Sequence, residues 1–270
     1  MKKCTWATLL AVTLAASLAP ASVAPLKDAA QAGYETGFGT ISRLTADLQQ
    51  GLPRNQRAEV SPTPVLLPEV AGPCLLLSRN DAPRPGRTVQ VSSGFVSLLN
   101  FISHAKAVDE VSRGFFIKSM ARLALQGAVS GPPNLEAATI QNSFSFETMN
   151  RQASHFNQMA AGLIAIDMAH VSLCHYQKYA AQLKDAQNRP VPINRVITPE
   201  EWRAAVMEGA RRALDCGIVV EGLRTLFDSI DKMPSRPAWR IYFLPDNVEV
   251  AKINRELQRM QDKALLVHVH

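Results

Sequence analysis

The longest helical pattern in the chain runs from Phe144 to Ala186, with apolar residues at Phe156, Met159, Leu163, Ile166, Val171, Leu173 and Leu183. That spacing lays a broad apolar stripe along one helix. A helix of this length, largely buried, obliges the remainder of the chain to pack round it, and the surrounding sequence supplies further helices. Thr198-Pro199-Glu200-Glu201 begins one of them: Thr at the N-cap, Pro at the first helical position and Glu at the third form a capping box. Its stripe (Trp202, Val206, Ala213, Leu214, Val220, Leu223, Phe227, Ile230) predicts a helix to about Asp231, stopped by Met233-Pro234. Pro190 and Pro192 close the long helix before it.

Upstream, Leu26 to Gln50 reads as an N-terminal helix interrupted near Gly37-Phe38-Gly39. From Pro53 to Arg87 stand seven of the 17 prolines, which predicts an extended, loop-rich segment with a short strand at Cys74-Leu75-Leu76-Leu77. Thr88-Val89-Gln90-Val91 alternates as a strand, and Ser92 or Ser93 caps a helix from Phe95 to Val111 with Phe95, Leu98, Leu99, Ile102, Ala105 and Val108 on one face. Gly114 breaks the chain before a helix from Phe115 to Leu125, and Gly127 to Asn134 is a loop. Ala238 to Leu244 is strand-like, and a last amphipathic helix follows Asp246 or Asn247. The fold class is therefore mainly α with a few short strands. The divisions are 1–21, a 22–52 helical segment, a 53–87 Pro-rich segment and an 88–270 main helical domain.

Residues 1–21 read as a secretory signal peptide: Met1-Lys2-Lys3, an apolar run from Thr5 to Ala19, and Ala19-Pro20-Ala21 as the cleavage site. The expected location is periplasmic or extracellular, with no membrane span after cleavage. Lys2 and Lys3 belong to that leader, so the formal charge of +6 falls to +4 in the remainder. Its Lys and Arg residues are scattered and lack interleaved aromatics, which argues against nucleic acid as a partner. An envelope protein or a peptide is the expected partner. Cys74, Cys174 and Cys216 remain in an oxidising compartment, and a Cys174–Cys216 disulfide between consecutive helices would stabilise the fold by about 4 kcal/mol in the chain-entropy model.

Ile166-Asp167-Met168-Ala169-His170-Val171-Ser172-Leu173-Cys174-His175 carries the candidate chemistry. At about 100° per residue, Asp167, His170 and Cys174 share one helical face, an acceptable zinc set by ligand type. His175 lies about 140° round from His170 on a continuous helix. His104 would join only through tertiary packing. The competing reading is structural: a paired Asp, a hydrogen-bonded His and a small buried Cys. G-x-S-x-G, P-loop and dinucleotide motifs are absent from the sequence.

The same ten residues resemble the active-site helix of the HtpX and CaaX-prenyl-protease-like zinc metallopeptidases, which reads HExxH with a further His five residues on. On that pattern His170 matches the second zinc ligand and His175 the trailing His. Asp167 takes the general-base position, and Ile166 stands where the first ligand belongs. The third ligand, a Glu on a later helix, has its counterpart in Arg212-Ala213-Leu214-Asp215-Cys216-Gly217, with Arg212 at the Glu position. Val89 to Val96 echoes the family's strand-to-helix entry. The resemblance covers about a third of the chain. It implies a metallopeptidase-like helical domain with a small sheet, lacking two of three zinc ligands. The expected function is therefore that of an exported cell-envelope protein without proteolytic activity, acting in binding or scaffolding and holding no cofactor. The alternatives are a zinc-dependent hydrolase with a rebuilt Asp167/His170/Cys174 site, and a helical envelope protein unrelated to peptidases.

Overall fold

The computed structural model describes residues 26–60, 62–67, 77–79, 87–126, 145–233 and 236–267. The leader at 1–21, the strand expected at Cys74 and the loop at 127–134 fall wholly or largely outside them. In chain order the helices are α1 (Leu26–Gln50), α2 (Arg54–Val60), α3 (Ser93–Asp109), α4 (Phe115–Gln126), α5 (Phe146–Ser172), the single turn α6 (His175–Lys178), α7 (Pro199–Asp215), α8 (Glu221–Asp231) and α9 (Val250–Val267). The strands are β1 (Pro62–Leu67), β2 (Leu77–Arg79) and β3 (Arg87–Ser92). The fold is mainly helical with one small sheet, as the apolar periodicity predicts.

Helix α5 is the axis of the structure. It starts at Ser145, whose hydroxyl accepts from the Thr148 amide, and packs most extensively against α7 and α3, then α8 and α1. Along it Met159, Ala160, Ala161, Ile164, Ala165, Met168 and Ala169 are fully buried. Small residues let neighbours come close. A Cβ at Gly209 of α7 would stand 2.6 Å from the Ile166 backbone nitrogen, and one at Gly222 of α8 would stand 2.6 Å from the Gln158 Cβ. Trp202 of α7 and Phe227 of α8 meet at 5.5 Å between ring centroids, and Phe95 of α3 stacks on Phe243 at 6.3 Å.

The sheet has the order β1–β3–β2, with β1 parallel and β2 antiparallel to β3. Pro62 and Pro64 are compatible with β1 because it is an edge strand. Val89 and Val91 are buried while Thr88 and Gln90 are half-buried, the alternation expected of a strand with one covered face. Ser92 then caps α3 directly, accepting from the Phe95 amide at 3.1 Å. The Thr198 capping box is formed from both sides.

Several expectations are corrected. Helix α1 is continuous through Gly37, because that glycine serves packing: a Cβ there would lie 2.3 Å from Val96 Cγ1 of α3. Part of the Pro-rich segment, Arg54–Val60, is helical. The helix expected from Thr198 to Asp231 is two, α7 and α8, separated at Gly217, whose φ of 75° is readily reached only without a side chain. Residues Ala238–Tyr242 form a 3-10 helix in place of a strand. Alternation fails there because Arg240 is buried along with Trp239 and Ile241, donating to the Pro245 carbonyl and to Asp231. The long helix ends at Ser172, fourteen residues before its expected limit at Ala186.

Candidate functional site

That early ending creates the candidate site. Leu173 donates to the Ala169 carbonyl and Cys174 to the Val171 carbonyl, and Cys174 then takes a left-handed conformation at φ 59°. For a residue with a side chain this costs on the order of 1–2 kcal/mol. The reversal folds α6 back on the last turns of α5. His175 Nδ1 comes to 3.0 Å from His170 Nδ1, their rings edge to face at 5.2 Å, and the Tyr176 hydroxyl donates to Asp167 Oδ1 at 2.6 Å. The Tyr176 ring lies edge-on to His170 with 6.0 Å between centroids. A straight helix would hold the two histidines well apart round its axis; the break unites them.

Asp167, His170 and His175 are all buried. Two facing Nδ1 atoms at hydrogen-bond distance require one ring to donate and the other to accept, so a single proton occupies the contact. Burial pushes the His175 imidazole below its ordinary pKa; the Glu201 carboxylate pulls it back up and Lys178 adds to the fall. Beyond them, Lys178 and the Tyr179 hydroxyl both donate to Glu201 of α7, each at 2.5 Å. Those two bonds, Lys178 first, hold the Glu201 carboxyl down to about 2.

The expected metal set is not assembled. Cys174 has left the helix and is exposed, so the register that would place it beside Asp167 and His170 no longer applies. His104 is buried on α3, and burial lowers its pKa. Among the described residues no three His, Cys, Asp or Glu side chains are grouped to hold a metal ion. Ile166, where the metallopeptidase pattern has its first ligand, sits in the α5–α7 contact where Gly209 meets its backbone. Arg212, where the metallopeptidase pattern has Glu, puts a cation at the end of α5. These residues do not fit a zinc centre, which needs converging, deprotonated ligands. The expected disulfide is not made either: Cys174 and Cys216 are both free thiols, and Cys216 Sγ lies 3.9 Å from the Asp47 carbonyl.

Arg212 is the residue whose part goes furthest beyond the expectation drawn from the sequence. Its side chain is 9% exposed. Nε donates to Glu208 Oε1 at 2.9 Å and Nη2 to Ser172 Oγ at 2.7 Å. The Ser172 hydroxyl in turn reaches the Met168 and Ala169 carbonyls, so the guanidinium lies at the C-terminus of α5, where the helix dipole favours a cation. Nη1 is buried with no hydrogen-bond partner among the described residues. An unsatisfied buried donor of this kind costs about 1–3 kcal/mol. The signal in the sequence was an arginine on the buried side of α7, three residues after Gly209 and four after a carboxylate.

A cleft of about 400 Å³ opens beside it, between the end of α1, the connection through Leu52 and Pro53, the start of α2 and the C-termini of α5 and α7. Leu48, Leu52, Pro53 and Leu173 form its apolar wall. Arg211, Arg212, Glu208 and Asp215 supply its charged lining, to which Cys216 also belongs. Partial burial works to raise the Glu208 pKa, but hydrogen bonds from Arg211 and Arg212 outweigh it and hold the carboxyl below its usual range. Burial, then the charges of Asp215 and Asp47, push the Cys216 thiol up, away from the reactive thiolate. Models of protein families, curated proteins and solved structures were all compared with the chain, and none matches.

Proposed function

We propose that the chain is an exported, non-proteolytic binding protein of the cell envelope, built on a helix pair that resembles that of zinc metallopeptidases, with its ligand seat in the cleft beside Arg212. The observation that carries this reading is Arg212 itself. Where the peptidase pattern calls for an anionic zinc ligand, this chain buries a guanidinium against Glu208 and Ser172. The neighbouring face of α5 is engaged internally, Asp167 with Tyr176 and His170 with His175. A general base in the Asp167 position would have to give up the tyrosine before it could activate water. Charged and apolar groups meet instead in the adjoining cleft, a recurrent setting for small-ligand binding. The basic and then apolar composition of residues 1–21 supports the export part of this reading.

The test is hydrolysis. Purified protein, supplied with zinc and incubated with an unfolded protein substrate and with a mixture of short peptides, is expected to give no cleavage above a heat-denatured control. Cleavage abolished by His170→Ala would overturn the reading. Expression of the full chain in a bacterium is expected to yield an envelope form beginning at Ser22.

A further inference from the structure

We infer that the cleft binds a carboxylate carried on a short apolar group, with Arg212 and Arg211 as its anchor. This rests on the reading of the chain as a binding protein and names the ligand class of that same site. A guanidinium offers five donors in a planar fork matched to a carboxylate. Arg212 is nine-tenths buried in the cleft wall and spends Nε on Glu208 and Nη2 on Ser172, while Nη1 is enclosed with no partner among the described residues, so Nη2 is the donor a ligand reaches. Its bond to Ser172 is the one a ligand displaces, since the serine hydroxyl keeps its contacts to the Met168 and Ala169 carbonyls. Arg211 stands beside it, 55% exposed, bound to Glu208 and to Asp215. Asp215 is itself 58% exposed, and an exposed ion pair of this sort exchanges readily for a ligand anion.

The remaining wall chooses the rest of the ligand. Leu48, Leu52, Pro53 and Leu173 offer aliphatic surface, and Leu173 is 40% exposed. A volume of about 400 Å³ holds an amino-acid-sized or short-chain group. Arg211 and Arg212 are matched by Glu208 and Asp215, so the four side chains sum to zero and a phosphate dianion meets about twice the repulsion from the two carboxylates that a carboxylate monoanion does. The carboxylate has two sources, a free aliphatic acid or the C-terminus of a peptide, and their chemistry at the arginines is the same.

Calorimetric titration of the full protein separates them. The probes are 4-methylpentanoate for a free acid, N-acetyl-leucine for a peptide terminus, N-acetyl-leucinamide with the same apolar group and no charge, and inorganic phosphate. At least one acid is expected to bind saturably and roughly tenfold or more tighter than the amide and than phosphate. The tighter acid identifies the source. Leu173→Glu, at an exposed position on the rim, is expected to lose roughly tenfold in affinity for that acid with an unchanged circular dichroism spectrum. Arg212→Met, if it folds, is expected to abolish the preference for acid over amide. Equal binding of acid and amide, phosphate binding as tight as either acid, or no saturable binding would overturn the assignment. An acid that fails to bind while peptide hydrolysis is also absent removes the ligand class and leaves the binding-protein reading standing; zinc-dependent hydrolysis removes that reading whatever binds.

Discussion

His170 and His175 meet Nδ1 to Nδ1 at 3.0 Å across the break between α5 and α6, both of them buried. The contact tolerates one proton and not two, and burial already lowers the pKa of His175 and of His104. The folded protein therefore binds fewer protons than the unfolded chain just below the ordinary histidine pKa. Stability is retained above about pH 6.5 and falls as the pH drops below it, because the unfolded state gains protons first. Thermal unfolding followed from pH 8 to pH 5 should show a falling midpoint, and His175→Gln should flatten part of that slope. A midpoint independent of pH over this range would show that the pair is not held as described.

Glu201 titrates with the opposite chemistry in a different window. Its carboxyl is held at about 2 by Lys178 and Tyr179, so what it contributes is intact above its ordinary pKa near 4.5 and is lost as the pH falls toward 2. Comparing the wild type with Glu201→Gln by urea unfolding, the difference in stability should be largest near pH 6 and shrink steadily below pH 4. Thr198→Ala, which removes the other half of the capping box, should cost about 0.5–2 kcal/mol at any of these pH values.

Two glycine substitutions should act in opposite senses. Gly209→Ala forces a methyl against the Ile166 backbone, and the strain of overpacking, about 1–3 kcal/mol, should exceed the gain in helix propensity. Gly39→Ala, in α1 with nothing within 4 Å of the added carbon, should stabilise by roughly 0.5–1 kcal/mol. Denaturant midpoints of the two variants give the comparison directly, and a neutral Gly209→Ala would contradict the close α5–α7 crossing.

Cys174 and Cys216 should differ in reactivity. Cys174 is exposed, whereas Cys216 is half-buried beside Asp215 and Asp47 with its thiol pKa raised. Alkylation under non-reducing conditions, followed by peptide mass spectrometry, should modify Cys174 first and Cys216 slowly. Recovery of a Cys174–Cys216 disulfide peptide would contradict the placement of both residues.

Local chemistry explains which parts of the fold were legible in the residues. The capping box at Thr198, the Ser92 cap and the apolar faces of α3, α5 and α7 follow from side chains acting within a turn or two of themselves. What escaped was decided by contacts distant along the chain. Gly37 looked like a helix breaker, yet its hydrogen side meets Val96. Cys174 carries no signal for a left-handed turn; it is held there between a His170–His175 contact and a Tyr176–Asp167 bond that only the turn makes possible. The candidate site shifted for the same reason. Asp167 and His170 are where helical spacing puts them, but Cys174 leaves and His175 and Tyr176 arrive. The cleft itself draws on α1, α2 and the connection between them, α5 and α7, residues more than a hundred positions apart, and its arginine was visible only as a departure from a zinc pattern.

The central claim is that Arg212 and the inward bonding of Asp167 and His170 leave no zinc centre at the end of α5. It is tested most directly by elemental analysis of the protein purified without a histidine tag and dialysed against buffered zinc. The expected result is zinc far below one ion per chain, unchanged in His170→Ala. One zinc per chain, lost in His170→Ala, would contradict it.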